Sequence, residues 1–334
     1  MENVGILAFT ARGMELAHAA AEKLKKQGVC TEIFDKKTGS AKEYLAENFA
    51  EKDTFLFICA TGITVRLIAP LIKSKDQDPA VVVMDEAGRY VIPLLSGHLG
   101  GANRAALKLG KLLGAEPIMT TATDINGKFA VDVWSKDAGC VITDVRGIKK
   151  VSSAVLKGER IGILSSFPLQ GEIPAELTEG PAEIGICVSL SGKGQPFAET
   201  FHVVPKIVTL GTGCRKGVSS HTFENFILSQ LAENRIDIAA VEKICSIDLK
   251  KNERCILDFS EKYRIPFVTY TAEELQQAAG DFTSSELVKK VTGVDNVCER
   301  SAVLGSGMGK KILSKASGSG ITCALAIKDW KCKF

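Results

Sequence analysis

The sequence is poor in several kinds of residue, and each shortage argues against a class of protein. Only 6% of its 334 residues are aromatic, proline occurs ten times, and 42 basic side chains are balanced by 39 acidic ones. The net charge of +3 is small, and no cluster of Lys and Arg with interleaved aromatic residues suggests a nucleic-acid surface. Scarce proline and 45% hydrophobic residues argue against disorder and collagen-like repeats. The composition therefore predicts a folded globular protein.

Histidine and paired cysteine motifs are also scarce. The chain has ten Cys but no C-x-x-C motif, and only four His, so we expect reduced thiols and no metal site. It contains no run of about 18 apolar residues, so we expect no membrane span. The first residues lack a basic segment followed by an apolar one, which predicts no secretory signal. We therefore expect a cytoplasmic protein.

Glycine, by contrast, is abundant, with 31 residues, and it recurs where apolar runs end. Apolar runs such as 4–9, 54–58 and 80–84 alternate with amphipathic segments such as 14–26, which predicts buried strands and helices in turn. This alternation is typical of an α/β fold with mostly parallel, helix-covered sheets. We predict an amino-terminal α/β domain at 1–124, a small α/β middle module at 125–205 and a carboxyl-terminal α/β domain at 206–334.

Four glycine-containing turns lie where predicted strands lead into predicted helices. They are the segments 10–13, 60–64, 96–103 and 211–217. Unpaired N–H groups and the positive end of the helix dipole make such turns suitable for anions. We expect them to lie together along the carboxyl edge of parallel sheets, where α/β proteins bind ligands. Arg12, Arg66, Arg215 and Lys216 lie in or just after three of these turns, which predicts a polyanionic small molecule as ligand.

Two nucleotide-binding motifs are missing from these turns. None is a G-x-G-x-x-G followed about 20 residues later by an acidic residue, and G-x-x-x-x-G-K-[ST] does not occur. A nucleotide-dependent transferase or dehydrogenase therefore stays an alternative hypothesis, which predicts tight dinucleotide binding.

His98 is the strongest candidate for catalysis. It lies between a predicted buried strand and a predicted helix, where a neutral imidazole can accept a proton from water. We expect Asn103 to donate a hydrogen bond to a substrate oxygen and Glu86 to orient the histidine ring. A plain structural role is the alternative for each, because isolated histidines, hairpin acids and polar residues in first helical turns commonly have one.

Several stretches of the sequence together carry a resemblance to a known family. Residues 94–103 are Leu-Leu-Ser-Gly-His-Leu-Gly-Gly-Ala-Asn, and residues 120–124 are Thr-Thr-Ala-Thr-Asp. They resemble the amino-terminal signature of the cobalt-precorrin-5A hydrolases of anaerobic cobalamin biosynthesis. Residues 211–217, which are Gly-Thr-Gly-Cys-Arg-Lys-Gly, are similar to the carboxyl-terminal domain of that family, as are 297–299 and 320–326. The resemblance covers nearly the whole chain in order and is weakest in the middle.

The resemblance implies a hydrolase that opens the δ-lactone of cobalt-precorrin-5A, releases the two-carbon fragment as acetaldehyde and gives cobalt-precorrin-5B. Cobalt would arrive inside the corrinoid substrate, so no cofactor is expected. The expected partner is this small molecule, without nucleic acid or membrane, and a homodimer is left open. Thr212, where an apolar residue is more usual in the family, bears little on the chemistry. A corrinoid carrier without turnover is the alternative, and it predicts bound pigment and no acetaldehyde.

The residues that we expect at the substrate lie in a glycine turn or beside one. The substrate-binding candidates are Thr10, Arg12, Gly13, Gly62, Arg66, Gly97, Gly100, Gly101, Thr121, Asp124, Gly213, Cys214, Arg215, Lys216 and Glu299. Glu299 would face the substrate only if its helix lines the cleft, and capping is the simpler role for Thr121. The segments 305–309 and 318–320 are interpreted as mobile loops.

Overall fold

The chain folds into two units, Met1–Val133 (unit 1) and Trp134–Phe334 (unit 2). This computed structural model describes residues 1–74, 77–98 and 100–334, apart from the side chains of Thr123, Asp124 and Leu287. Both units are built from sheets that carry helices. The α/β class predicted from the sequence is therefore confirmed.

Unit 1 contains a six-stranded sheet in the spatial order β2-β1-β3-β4-β5-β6. The strands are β1 (Asn3–Ala8), β2 (Cys30–Ile33), β3 (Thr54–Ile58), β4 (Ala80–Met84), β5 (Tyr90–Leu95) and β6 (Glu116–Pro117). The helices are α1 (Ala11–Lys25), α2 (Ala41–Asn48), α3 (Thr61–Ile68), α4 (Ala102–Leu113), α5 (Ala122–Ile125) and α6 (Val131–Asp137), of which α6 begins at the end of this unit. Every neighbouring pair of strands is parallel except β4 and β5.

The central strands of unit 1 are buried on both faces because successive residues point to two separate cores. Ile6 and Leu56 belong to the core that α1 and α4 cover. Leu7 and Phe57 belong to the core that α2 and α3 cover. Continuous apolar strands of this kind are typical of parallel sheets with helices on both sides. Polar residues that could meet a ligand are therefore confined to the ends of these strands.

The hairpin between β4 and β5 reverses the direction of the chain within this sheet. Val81 lies opposite Leu95 and Met84 lies opposite Val91, so the two strands are antiparallel. The carboxylate of Asp85 closes the hairpin by accepting hydrogen bonds from backbone N–H groups on its far side. Residues that follow β5 therefore lie at the edge where β1, β3 and β4 begin.

The first sheet of unit 2 has five strands in the order β10-β8-β11-β12-β7. The elements of this segment are β7 (Cys140–Ile142), α7 (Arg146–Leu156), β8 (Ile161–Ser165), β9 (Leu169–Gln170), β10 (Leu177–Thr178), β11 (Ile184–Val188) and β12 (Glu199–Pro205). Only the pair of β7 and β12 is antiparallel among the described strands of this sheet. Strand β9 lies outside it and pairs with the end of the chain, Leu169 opposite Cys332.

The second sheet of unit 2 has the order β15-β14-β13-β17-β16. Its strands are β13 (Val208–Cys214), β14 (Val241–Ile247), β15 (Phe267–Tyr270), β16 (Lys310–Gly318) and β17 (Ile321–Ile327), and β18 (Cys332–Lys333) follows them. The helices are α8 (Ser220–Glu233), α9 (Arg254–Tyr263), α10 (Ala272–Gln276), α11 (Glu286–Thr292) and α12 (Cys298–Gly305), with short 3₁₀ helices at Ile238–Ala240 and Asp248–Lys250. Two pairs of strands are parallel and two are antiparallel.

Strand β16 occupies the segment between the two predicted loops. It pairs along its length with β17, and Gly318 lies opposite Ile321. Ser319 and Gly320 both have positive φ, 51° and 77°, which is the backbone geometry that a tight hairpin turn requires. Residues 318–320 are thus the end of a strand and its turn, rather than a separate loop.

Helix α12 packs so closely on β13 that one strand position requires glycine. A Cβ atom at Gly211 would lie 1.9 Å from the carbonyl oxygen of Cys298. The strand continues beyond this point to Cys214. The predicted turn at 211–217 is therefore corrected: Gly211 and Gly213 belong to the strand, and the turn begins after Cys214.

Neither a membrane-spanning helix nor a disulfide bond occurs in the described part of the structure. Among the helices that the structure describes, none combines the length and the apolar composition needed to cross a membrane. All ten cysteines are unbridged thiols.

Candidate functional site

The loop between β5 and α4 has a tightly specified backbone. The N–H groups of Ala102 and Asn103 donate to the carbonyl oxygens of Ser96 and Gly97, both at 3.0 Å. Ser96 adopts a positive φ of 57°, which is costly for a residue with a side chain. A Cβ atom at Gly100 would lie 2.3 Å from that of Ser96, so this loop closes only with glycine there.

His98 on this loop is paired with an acidic residue that is not among the predicted site residues. Its Nδ1 atom lies 3.1 Å from Oδ2 of Asp132, in the first turn of α6. Both side chains are largely buried, with 14% and 6% of their surfaces exposed. The second oxygen of Asp132 accepts the backbone N–H of Val133 at 3.0 Å. The carboxylate is therefore fixed in place and in turn fixes the histidine ring.

Asn103 and Thr121 complete this edge of unit 1. The amide nitrogen of Asn103, a buried residue, donates to the hydroxyl of Thr121 at 3.0 Å. A Cβ atom at Gly97 would lie 2.8 Å from the amide oxygen of Asn103, so the loop passes directly over this side chain. Asp124 lies in α5, and its side chain is outside the described part of the structure. The structure thus brings together the predicted residues of the 96–103 turn and one that follows it, which are Gly97, His98, Gly100, Gly101, Asn103 and Thr121.

The other predicted residues of unit 1 lie at the opposite edge of the sheet. The hydroxyl of Thr10, after β1, donates to the carboxylate of Glu86, after β4, at 2.8 Å. The same hydroxyl caps α1 by accepting the N–H of Gly13 at 3.0 Å. Arg12 and Gly62 are exposed beside these strand ends. Thr10 and Glu86 are therefore already each other's partners.

Arg66 and Glu86 both lie away from the positions predicted for them. Arg66 lies in the last turn of α3, exposed, and therefore not at the helix N-terminus that the turn at 60–64 forms. Glu86 follows the end of β4, whereas His98 follows the end of β5 beside the start of β4. Three residues of strand, roughly 10 Å, separate these two ends. Asp132, and not Glu86, is the acid that contacts His98.

Unit 2 contains a cavity of about 800 Å³ that includes the four residues predicted around its glycine turn. Gly213, Cys214, Arg215 and Lys216 all line it. Two further cations line it, Lys250 from a 3₁₀ helix and Lys315 from β16. Part of the wall is apolar and comes from α11, with Val288 and Val291. In the described part of the chain, Arg215, Lys216 and Lys315 have no acidic partner within 4.0 Å. The cavity therefore combines apolar surface with unpaired positive charge.

The thiol of Cys214 in this cavity is neutral at ordinary pH. Burial, together with the neighbouring thiol of Cys255, raises the pKa of Cys214 to about 12. The two sulfur atoms lie 3.7 Å apart. Glu253 is the third potential metal ligand near them, and the described residues contain no other such group of three.

Glu299 does not face this cavity, which corrects the prediction that it binds substrate. Its side chain is fully buried, and it accepts hydrogen bonds from the backbone N–H of Thr283 and from the amide of Asn296. Its other oxygen accepts from the ammonium group of Lys311 and the backbone N–H of Lys315, both at 3.0 Å. Because Lys311 and Lys315 belong to β16 and Glu299 lies in the first turn of α12, the carboxylate anchors β16 to the start of α12.

Sequence reasoning missed three polar residues of these sites: Asp132, Lys250 and Lys315. Asp132 is an acid in a helical first turn, which is a common position, and its partner is 34 residues away. Lys250 and Lys315 line the same cavity as Arg215 because β13 lies beside β14 and β17 in the sheet, an order that the sequence pattern does not reveal. No local signal distinguished any of the three.

Three family models match consecutive parts of the chain. They are described as cobalamin synthesis G N-terminal (residues 43–124), cobalamin biosynthesis central region (129–205) and cobalamin synthesis G C-terminus (208–326). The glycine loop with His98 lies in the first match and the cavity cations lie in the third.

Curated relatives match almost the full length. The chain is 33% identical to a protein of Salmonella typhimurium named cobalt-precorrin-5A hydrolase, over 98% of both chains. It is 31% identical to a protein of the same name from Priestia megaterium, over 87% of this chain and 82% of that one. A solved structure of a cobalamin biosynthesis protein G homolog from Sulfolobus solfataricus is 23% identical, covers 98% of both chains and has a TM-score of 0.45.

Proposed function

The chain belongs to the cobalamin synthesis G family, and on that premise we propose that it is a cobalt-precorrin-5A hydrolase. The names of two relatives at 31% and 33% identity support this activity. The proposed reaction hydrolyses the δ-lactone of the substrate and releases its two-carbon fragment as acetaldehyde. The product is cobalt-precorrin-5B, an intermediate of cobalamin biosynthesis.

The observation that carries the proposal is the buried pair of His98 and Asp132 on the loop after β5. A carboxylate on Nδ1 favours the neutral tautomer that has its basic lone pair on Nε2. We assign to His98 the removal of a proton from the water that attacks the lactone carbonyl. Asp132 holds the ring and stabilises the imidazolium that forms, as the acid behind the histidine does in other hydrolases.

The glycine loop is assigned the stabilisation of negative charge in the same step. Backbone N–H groups at Gly100 and Gly101 would donate to the developing oxyanion, and removing one such donor costs about 3–4 kcal/mol in characterised hydrolases. Asn103 would donate to a neighbouring substrate oxygen. We propose that Gly97, Thr121 and Asp124 contact the substrate beside that oxygen.

Release of acetaldehyde needs a second proton transfer. Opening the lactone gives a carboxyl group and a hydroxyl group on the two-carbon fragment. When that hydroxyl loses its proton, the carbonyl of acetaldehyde forms, the carbon–carbon bond to the macrocycle breaks, and its electron pair stays on the macrocycle carbon, which takes up a proton. We assign this proton transfer to His98 also, since it is basic again once the first proton has left.

The cavity in unit 2 is proposed to hold carboxylates of the corrinoid periphery. Arg215, Lys216 and Lys315 are unpaired cations in the described structure, and Lys250 lies beside them. Charge-assisted hydrogen bonds from such groups to carboxylates are about twice as strong as neutral ones. Gly213 and Cys214 line the same cavity and are proposed contacts. The edge with Thr10, Arg12, Gly13 and Gly62 is too far from His98 to be assigned to the reacting part of the substrate.

We propose no partner besides the corrinoid, neither nucleic acid nor membrane, and the reaction as written needs no metal beyond the cobalt of its substrate. A cytoplasmic location is supported by ten unbridged thiols, which suit a reducing compartment.

The test is an acetaldehyde assay on purified protein with cobalt-precorrin-5A. We expect turnover by the native protein and a loss of about 10²-fold or more in His98→Asn, since a general base contributes about that much. His18→Asn, an exposed histidine on α1, is the matched control and should keep full activity. Bound pigment without acetaldehyde would instead identify a carrier, and equal activity in His98→Asn would remove His98 from the mechanism.

A further inference from the structure

Two cysteines and a glutamate meet at the wall of the cavity in unit 2. Cys214 ends β13, Glu253 is the N-cap residue of α9, and Cys255 lies in the first turn of that helix. One ligand atom from each lies within 4.8 Å of the others. The group contains no residue of unit 1, so ion binding can be measured without substrate and without the pair of His98 and Asp132.

We propose that Cys214, Glu253 and Cys255 bind a thiophilic divalent cation of the Zn²⁺ class. Two thiolates at about 2.3 Å from a tetrahedral zinc ion are separated by about 3.8 Å. The two sulfur atoms here are 3.7 Å apart before any ion is added. The main ligands therefore need almost no movement, and one carboxylate oxygen completes a set of three.

The charge balance of the site favours exchange of protons for the ion. Cysteine binds such an ion as the thiolate, so each thiol gives up its proton to the solvent on binding. The carboxylate of Glu253 is neutralised by Lys250, whose ammonium group lies 2.8 Å from one of its oxygens. Binding replaces two thiol protons by one doubly charged cation, forms two metal–sulfur bonds and changes no oxidation state. The local net charge is the same before and after.

The position of the group gives the ion an open side. Cys214 and Lys250 both line the cavity of about 800 Å³. Zinc sites with three protein ligands keep a fourth position for water or a ligand. In this protein that position would be filled from the cavity, by water or by a carboxylate of a bound molecule.

The experiment uses Co²⁺ alone as a spectroscopic probe on the full chain, kept reduced with a non-thiol reductant under anaerobic conditions. We expect sulfur-to-cobalt charge-transfer absorption that saturates at one equivalent, and its disappearance when Zn²⁺ is added. In weakly buffered solution, Zn²⁺ added to the ion-free protein should release two protons per ion.

Variants locate the site. Cys214→Ser and Cys255→Ser should each abolish the charge-transfer band, and Glu253→Gln should weaken Co²⁺ binding about tenfold or more. Cys59→Ser is the matched control, because Cys59 is a half-buried thiol of unit 1.

Two results would overturn the proposal: a native protein without the band at one equivalent, or a band that survives in both cysteine variants. If the buried Cys255 variant does not fold, Cys214→Ser decides, and a band that persists in that variant contradicts the site. Acetaldehyde release by ion-free protein is measured in parallel, so failure of the ion site and failure of the hydrolase proposal are told apart.

Discussion

Asp132 accepts a hydrogen bond from Nδ1 of His98 at 3.1 Å, although 34 residues of chain separate them. The contact joins the glycine loop after β5 to the first turn of α6. A histidine held by a buried acid has a defined tautomer and a defined ring orientation, which a lone histidine on a glycine loop lacks.

Asp132→Asn should therefore impair turnover without preventing folding. The amide can turn its NH₂ group toward Nδ1, which favours the tautomer with the proton on Nε2 and removes the basic lone pair from the reacting side. We expect kcat for acetaldehyde release to fall by about 10²–10⁴-fold with little change in KM. Steady-state kinetics measures the effect, and circular dichroism checks the fold.

Asp35→Asn is the matched control, because Asp35 is an exposed aspartate of the same unit. It should leave kcat within about twofold of the native value. Full activity in Asp132→Asn would show that the contact has no part in catalysis.

The glycine loop predicts a contrast between two alanine substitutions. In Gly100→Ala the new methyl would lie 2.3 Å from the Cβ of Ser96, in backbone that cannot move away without breaking the α4 N-terminus. We expect a loss of about 1–3 kcal/mol in the free energy of unfolding. In Gly62→Ala the methyl enters open space in α3, and a gain of about 0.5–1 kcal/mol is expected.

Urea unfolding of both variants gives the two free energies. Equal effects of the two substitutions would contradict the close packing seen at Gly100, because only that position has a neighbour within reach.

Much of the fold follows from the apolar runs of the sequence. The runs at 4–9, 54–58 and 80–84 correspond to β1, β3 and β4, since a strand buried on both faces must be apolar throughout. Strand β16 is not predicted by the sequence, because polar and apolar residues do not alternate along it and glycines flank it. Its structure depends on hydrogen bonding to β17, which the local sequence of β16 does not indicate.

The direction of β5 accounts for the main difference between the predicted and the observed site. Only five residues separate β4 from β5, and so short a connection can only join antiparallel strands. The expectation that the turns at 10–13, 60–64 and 96–103 share one edge of the sheet requires parallel strands throughout, and β5 runs in the opposite direction. The residues around His98 predict its glycine-containing loop. They do not indicate Asp132, because the position of Asp132 depends on the path of the chain after β6.

We expect the cations of the cavity in unit 2 to contribute to substrate binding more than to the chemical step. Arg215→Gln, Lys216→Gln and Lys315→Gln each remove one charge that has no acidic partner in the described structure. We expect KM for cobalt-precorrin-5A to rise about fivefold to tenfold for each, equivalent to roughly 1–1.4 kcal/mol, with kcat nearly unchanged. The increase should shrink at high salt, because exposed charges are screened.

Lys251→Gln is the control for these variants, since Lys251 is exposed nearby and does not line the cavity. An unchanged KM in all three cavity variants would mean that the substrate carboxylates are held elsewhere.

Glu299 predicts a pH-dependent contribution to stability. Burial by itself raises the pKa of Glu299, but hydrogen bonds from Thr283, Lys311 and Lys315 outweigh it, so the pKa lies below the ordinary value of 4.5. A carboxyl group whose pKa is lower in the folded state stabilises the fold above its unfolded pKa, and this stabilisation is lost as the pH falls through the folded pKa. The glutamate therefore contributes fully at neutral pH and progressively less below about 4.5.

Glu299→Gln should lower the free energy of unfolding by about 1–3 kcal/mol at neutral pH, because an amide has one acceptor oxygen where the carboxylate has two and Lys311 loses its ion pair. The difference from the native protein should narrow as the pH is lowered below about 4.5, since the native carboxylate is then also losing its charge. Denaturant unfolding at a series of pH values measures it, with Glu261→Gln, an exposed glutamate of α9, as the control that should change little. A deficit that stays constant down to acid pH would show that packing of the side chain, and not its charge, anchors β16 to α12.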